Sequence, residues 1–422
     1  MNNTITKAID ELKTGTYNQA TIEAVINHLT DYTEEEDEEL LFVLGDLLDS
    51  IGEKNYALTI FKYLYESNEH DDNILSYLID IYITNGDIDN ALLLLNEAKE
   101  TPTVLFLKAE VFQQMHLNDV ALKHLMKARS LSNDAIIDFA IAELYYYEGN
   151  LTEAIYYYKN TLKTVDRINN ININLRLANI YSNLMESEMA LSYFNEVEDH
   201  ELENDDYFLK GLVHFQLEQY NEAEKMLDNV IKNEPYYTNA YILLMKIKEK
   251  EYDFEGATDL LKDYVVIDDL NPLMFYHLGR LSLKLGSLED AKGYFKRATE
   301  LDIEYEDALL KLFQSILESD TTDEINDYIK HLDIKELSPE ALHLLGTIEA
   351  RNENDENAMQ YFEEAAKFLK DNVEFLSDYY SYLSEIRDER RVDILQQLIA
   401  LEPSNPEWQL ELERIQDDID HF

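Results

Sequence analysis

Small and apolar residues return along this chain at a helical spacing, and the helices they imply return at a longer fixed interval. Between Asn204 and Tyr305 the sequence divides into three consecutive 34-residue units, 204–237, 238–271 and 272–305. An alanine holds the twentieth place of each (Ala223, Ala257, Ala291). The eighth place reads Gly211, Met245, Gly279, and the twenty-fourth Leu227, Leu261, Phe295. In the last unit Ala291, Phe295 and Ala298 stand at i, i+4 and i+7, one face of a helix. A Gly-Ser-Leu-Glu-Asp turn precedes that helix, and another apolar helix precedes the turn.

Carried outward, the register predicts about twelve helix–turn–helix units. Upstream the twentieth place is Ala190, Ala154, Ala121, Ala91, Ala57 and Ala20; downstream it decays to Ile325, Ala358 and Arg391. Glycine and proline test the register independently. Gly45, Gly211, Gly279 and Gly346 fall at the eighth place, where a missing Cβ lets two helices approach. Gly15, Gly52, Gly86, Gly149 and Gly286 fall at the fifteenth, where a left-handed residue ends a helix. Pro102, Pro272 and Pro339 open units, Pro235 and Pro403 close them, and Pro406 starts a last helix. No proline interrupts an element.

A helix–turn–helix of this period, with these small positions, resembles the tetratricopeptide repeat. The resemblance implies an all-α fold, a right-handed α-solenoid superhelix in which each unit stacks on the next. Repeats that fill the whole chain also resemble the YpiA-like repeat proteins of low-GC Gram-positive bacteria. In this frame residues 1–37 are an N-terminal unit or cap ending in an acidic run, and 38–203 are units two to six. Residues 204–305 are the regular block, 306–403 are degenerate units, and 404–422 are a C-terminal capping helix. In that cap Ser404 and Asn405 precede Pro406, and Trp408, Leu412, Ile415 and Ile419 make an apolar stripe. Unit ten has Phe313 and Ile325 at the two small places, so either its helices splay and bend the stack or the signature has drifted. The six acids Glu34, Glu35, Glu36, Asp37, Glu38 and Glu39 read as an exposed loop running into an acid-rich first helical turn.

Composition narrows the function. Against 35 basic residues stand 87 acidic ones, a formal charge of −52. That surplus argues against nucleic-acid phosphates and anionic membrane surfaces as partners, although it can also serve only to keep a long solenoid solvated. The absence of cysteine removes disulfides and thiolate chemistry. The opening MNNTITKAIDELKTG has no signal-peptide core, and no stretch approaches membrane-spanning length, so a cytoplasmic protein is expected. No phosphate loop, nucleophile elbow, HExxH pair or dinucleotide turn occurs, and the ten histidines share no metal-ligand spacing. Asn85 to Asn90 is a partial calcium loop with its glycine misplaced, and a repeat turn explains it better. No catalysis, metal or cofactor is expected.

In the tetratricopeptide family the first helix of each unit lines the groove, through places that include the fifth and ninth. Transferred here, the ninth place reads Asp46, Asp80, Glu110 and Glu143, then Asn179, Leu212, Lys246 and Arg280. The fifth reads Phe42, Ser76, Phe106, Phe139, Leu175, Phe208, Ile242 and Tyr276. Phe42/Asp46, Phe106/Glu110 and Phe139/Glu143 are i, i+4 pairs that set a ring beside a carboxylate. The bland alternative is a solvated acidic face with half-buried rings. The candidate partner-binding residues are these rings and acids with Phe208 and Tyr276, and Lys246 and Arg280 form a smaller anion-tolerant patch. The implied ligand is a segment of a partner protein carrying basic and apolar side chains. A carboxylate-clamp cochaperone is unlike this chain, because the fifth place is apolar and the early ninth places are acidic. Two other readings stay open. A regulator switched by a short signalling peptide would need an effector bundle that the sequence does not display. An accessory part of an enzyme complex is the remaining one.

Overall fold

The computed structural model describes residues 2–68, 71–325 and 334–420, with side chains over 4–68, 71–325 and 334–415. They form twenty-four α-helices in two compact units, Met1–Glu201 and Leu202–Phe422. The first unit pairs α1 (Asn2–Lys13) with α2 (Gln19–Ile26), α3 (Glu35–Ser50) with α4 (Lys54–Ser67), and α5 (Asp72–Thr84) with α6 (Ile88–Glu97). It continues with α7 (Pro102–Gln114) and α8 (Asn118–Leu131), α9 (Ala135–Tyr147) and α10 (Leu151–Thr161), then α11 (Ile173–Asn183) and α12 (Ser187–Phe194). The second unit pairs α13 (Asn204–Gln216) with α14 (Tyr220–Asn233), α15 (Thr238–Lys250) with α16 (Phe254–Ile267), and α17 (Pro272–Lys284) with α18 (Leu288–Leu301). After α19 (Glu306–Ser319) come α20 (Pro339–Arg351) with α21 (Asp355–Ala366), α22 (Val373–Glu385) with α23 (Arg391–Leu401), and α24 (Pro406–Asp420). This is an all-α solenoid of stacked hairpins.

The hairpins form where the register expects them, for local reasons. Each tight turn needs one left-handed residue, and all five fifteenth-place glycines adopt it, Gly52 at φ 86° for example. Other hairpins put His116, Met185, Glu218, Tyr252, Asp320 and Glu353 in the same conformation. A side chain there costs about 1 kcal/mol, which tertiary packing must offset. The eighth and twentieth places then let the two helices touch. A Cβ on Gly279 would lie 2.5 Å from the Phe295 ring, and one on Gly45 would lie 2.9 Å from Phe61. Ala57, Ala91, Ala121, Ala154, Ala190, Ala223, Ala257, Ala291 and Ala358 are all fully buried.

Ala20 departs from this pattern: it is exposed, and Thr21, Ile22 and Val25 turn inward instead. The reason is where the helix starts. In α4, α6 and α14 the alanine lies a full turn inside the helix, whereas α2 begins at Gln19 and Asn18 caps the Ala20 N–H itself. The acidic run behaves as expected in that α3 begins at Glu35, where first-turn acids favour the helix dipole. Asp37 within it, however, is buried. In unit ten Phe313 and Ile325 are both fully buried, and a 3-10 turn spans Thr322–Ile325. The second helix that the register expects in that unit, and with it the expected bend, falls on residues outside those described. In the cap, Asn405 accepts from the Glu407 N–H at 3.1 Å, Trp408 donates to Glu402 at 3.1 Å, and Ile415 enters the core. Ile419 lies outside the described side chains.

One element has no counterpart in the register. Between α10 and α11 the chain makes a two-stranded antiparallel hairpin, β1 (Arg167–Ile168) with β2 (Ile171–Asn172). Its turn is Asn169-Asn170, both left-handed, a tight-turn geometry that asparagine tolerates. Glu201 ties it down by pairing with Arg167 at 2.5 Å and accepting from Asn172 at 2.7 Å.

Candidate partner-binding face

The fifth-place rings pack against rings of their own or the following hairpin more than they face outward. Phe42 stands edge-on to Phe61 at 5.6 Å and to Tyr77 at 5.0 Å, while Phe61 stacks on Tyr77 at 5.0 Å. Phe139 is only 7% exposed and meets Tyr158 at 6.1 Å. Phe208 tilts against Tyr237 at 5.3 Å, and Tyr276 against Tyr305 at 5.2 Å. Phe42, Phe106, Phe208 and Tyr276 remain half-buried, so part of each ring faces solvent. Such ring pairs contribute about 0.5–1.5 kcal/mol each beyond their burial.

The four ninth-place acids of the first unit fall into three situations. Asp46 is exposed on α3. Asp80 is exposed on α5 and lies near Glu110 of α7, which is half-buried. Burial first, and then the Asp80 charge, push the Glu110 carboxyl up to about 7. Neither of these two acids has a cation partner among the described residues. Glu143 on α9 is engaged within the fold: it accepts from the Tyr158 hydroxyl at 2.5 Å and from Arg176 Nε at 3.1 Å. Arg176 in turn lies 5.6 Å from the centre of the Tyr146 ring. Glu143 is therefore a strut between α9, α10 and α11. The residues that hold it, Tyr158 and Arg176, escaped the register because they lie outside the fifth and ninth places.

A groove of about 760 Å³ opens beside Phe42. It is bounded by Glu35, Glu38 and Glu39 of α3, by Leu64 and Asn68 at the end of α4, and by Asp71, Ile74 and Tyr77 around the start of α5. Phe42 was expected here. Tyr77 and Ile74 were not, because they follow the fifth place and precede it. The only available signal was an apolar stretch at the head of α5.

In the second unit the ninth-place Arg280 is internally paired. Arg280 donates to His277 Nδ1 at 3.1 Å and approaches Glu249 at 3.7 Å, and Lys284 reaches the same carboxylate at 3.7 Å. Burial, then Arg280 and Lys246, hold the His277 ring down to about 4, so it is neutral near pH 7. Lys246 is exposed. Among the described residues no group of three or more His, Asp or Glu side chains is placed to hold a metal ion. No helix among them is long and apolar enough to cross a membrane.

Hairpins of this length, packed through small eighth and twentieth places, define a tetratricopeptide repeat protein, and those repeats make it a protein-interaction scaffold. The general tetratricopeptide repeat model matches residues 207–237 and 273–302. Two narrower models, for YpiA-like tetratricopeptide repeats and for the C-terminal repeats of the same proteins, match 113–165 and 339–405. Over those residues the chain is similar to YpiA-like tetratricopeptide repeats. It is 28% identical over 320 residues to the TPR repeat-containing protein YpiA of Bacillus subtilis (strain 168), covering 74% of this chain and 76% of that one. Among solved structures it is similar to the C-terminal part of a TPR repeat-containing protein of Cytophaga hutchinsonii. That match has 17% identity, covers 64% of this chain and 97% of the other, and has a TM-score of 0.47. It is also similar to the APC/C hetero-tetramer Cut9–Hcn1, at 12% identity over 97% of this chain and 94% of that one, with a TM-score of 0.34.

Proposed function

We propose that this chain is a non-enzymatic cytoplasmic scaffold whose first unit holds a basic and apolar segment of a partner protein. One observation carries the reading: Asp80 and Glu110 lie near each other at successive ninth places, and no cation among the described residues pairs with them. Bringing two carboxylates together in a partly buried site is unfavourable unless a positive group completes it. A lysine or arginine from a partner supplies that group, and Asp46 extends the same row. The half-buried rings of Phe42 and Phe106 offer apolar contact and cation–π attraction of about 0.5–2 kcal/mol each. Glu143 supports the wall by positioning α9 against α11.

The test is a charge comparison on the full chain. One variant carries Asp46→Lys, Asp80→Lys and Glu110→Gln. The other carries Glu222→Lys, Asp228→Lys and Asp259→Asn on exposed faces of second helices in the other unit. Both sets change the formal charge by five units. Binding of a Lys-Lys-Phe-Leu repeat peptide is expected to fall at least about tenfold in the first variant and less than about threefold in the second. Equal losses would mean diffuse attraction to a polyanion and would remove the proposed face.

A further inference from the structure

The groove at the head of α3 and α5 differs from the rest of the acidic surface. It joins an exposed apolar side chain, Val43, to carboxylates that have no ion-pair partner among the described residues. Val43 is 40% exposed on its wall, although Leu41 and Leu44 on either side of it in α3 are fully buried. Leu64 and Ile74 form the floor, and Phe42 and Tyr77 meet edge to face beside them at 5.0 Å. Glu35, Glu38 and Glu39 approach it from α3 and Asp71 from the start of α5. None of these four has an ion-pair partner among the described residues.

We propose that this groove docks a short partner segment in which a large apolar side chain is flanked on both sides by lysine or arginine. The proposal rests on the scaffold reading above and gives it an anchor point. Each half of the chemistry excludes a different ligand. An apolar segment alone would strip water from the carboxylates and leave them unpaired, which is unfavourable. A basic segment without the apolar group would leave the exposed Val43 side chain wet and gain only screened attraction. An acidic segment is repelled by all four carboxylates. A strand-like segment fits the placement, because its side chains alternate at about 3.3 Å per residue and point to opposite sides. One residue then enters the floor while basic neighbours reach toward Asp71 and the α3 acids.

The experiment uses the full chain and three labelled hexapeptides, read by fluorescence anisotropy at low salt. The first is acetyl-Lys-Lys-Phe-Leu-Lys-Lys-amide. The second replaces Phe-Leu by Ser-Gly, and the third replaces every lysine by glutamine. The first is expected to bind at least about tenfold more tightly than either of the others. Glu35→Gln, Glu38→Gln and Glu39→Gln together should weaken it about tenfold or more, whereas Asp80→Asn with Glu110→Gln should change it less than about threefold. A photoreactive benzoylphenylalanine in place of the phenylalanine should crosslink to residues of α3, α4 or α5. Crosslinks confined to α7 and loss only in the Asp80/Glu110 variant would overturn the groove and leave the wider scaffold reading standing. Equal binding of all three peptides would overturn both. Light scattering showing a wild-type dimer that the α3 triple variant dissolves would assign the groove to a second copy and overturn the partner proposal. Absence of binding by the wild-type monomer would do the same.

Discussion

In the first unit Asp80 and Glu110 stand near each other at successive ninth places with no cation partner among the described residues. In the second, Arg280 at the same place lies between Glu249 and the His277 ring, with Lys284 sharing that carboxylate. The hairpins beneath are alike: Gly45 seats the Phe61 ring as Gly279 seats Phe295. The eighth, fifteenth and twentieth places therefore fix the backbone, and the ninth is left to carry charge. Where the chain balances that charge internally the face is complete. Where it does not, the proposed partner segment would complete it.

That contrast can be broken most sharply within the first unit, where two neighbouring acids should respond in opposite directions. Glu143→Leu removes the acceptor for both Tyr158 and Arg176 and is expected to cost about 3 kcal/mol in a urea titration. Glu110→Gln should instead stabilise the fold by about 2 kcal/mol near pH 8. The sign follows from its raised carboxyl. The unfolded chain loses this proton near its ordinary value of 4.5, while the folded chain keeps it to about 7, so wild-type stability declines across that window. Glutamine has no such decline, and the gain should vanish as the pH falls below the window. A stabilising Glu143→Leu or a pH-independent Glu110→Gln would erase the distinction between strut and unpaired acid.

Two smaller effects probe what the units share. Gly279→Ala drives a Cβ to 2.5 Å from a buried ring and should cost about 1–2 kcal/mol, and Gly45→Ala, at 2.9 Å, should cost less. Thermal melts of the two variants give the order directly. Tyr252 has a left-handed φ of 60° and is 81% exposed, so Tyr252→Gly relieves backbone strain and gives up only an edge contact with Phe254, 6.3 Å between ring centres. A gain of about 0.5–1 kcal/mol is expected, and a loss would mean that the ring holds its turn.

The scaffold was legible because its requirements are local and repeated. A turn needs φ above zero, and a close approach needs a missing Cβ, so glycine marks both on the sequence. Ala20 misled because composition shows an alanine but not where its helix begins. The β-hairpin at Arg167 was hidden inside a variable linker, with only Asn169-Asn170 to signal it. Candidate acids were legible as places but not as states. Glu143 and Glu110 occupy the same place, yet Arg176 and Tyr158 reach one and no cation among the described residues reaches the other. That difference depends on residues in neighbouring helices. The groove beside Phe42 was missed for the same reason, since its walls come from three elements.

The most direct test of the unpaired acids is calorimetry near pH 7 with a longer peptide repeating the Lys-Lys-Phe-Leu sequence, run in two buffers of unlike ionisation enthalpy. A basic side chain docking between Asp80 and Glu110 lowers the Glu110 carboxyl from about 7 and drives off its proton. The apparent binding enthalpy should therefore differ between buffers by about half a proton's worth of buffer ionisation, and Glu110→Gln should abolish the difference. Tight binding with the same enthalpy in both buffers would place the basic groups elsewhere and contradict the account.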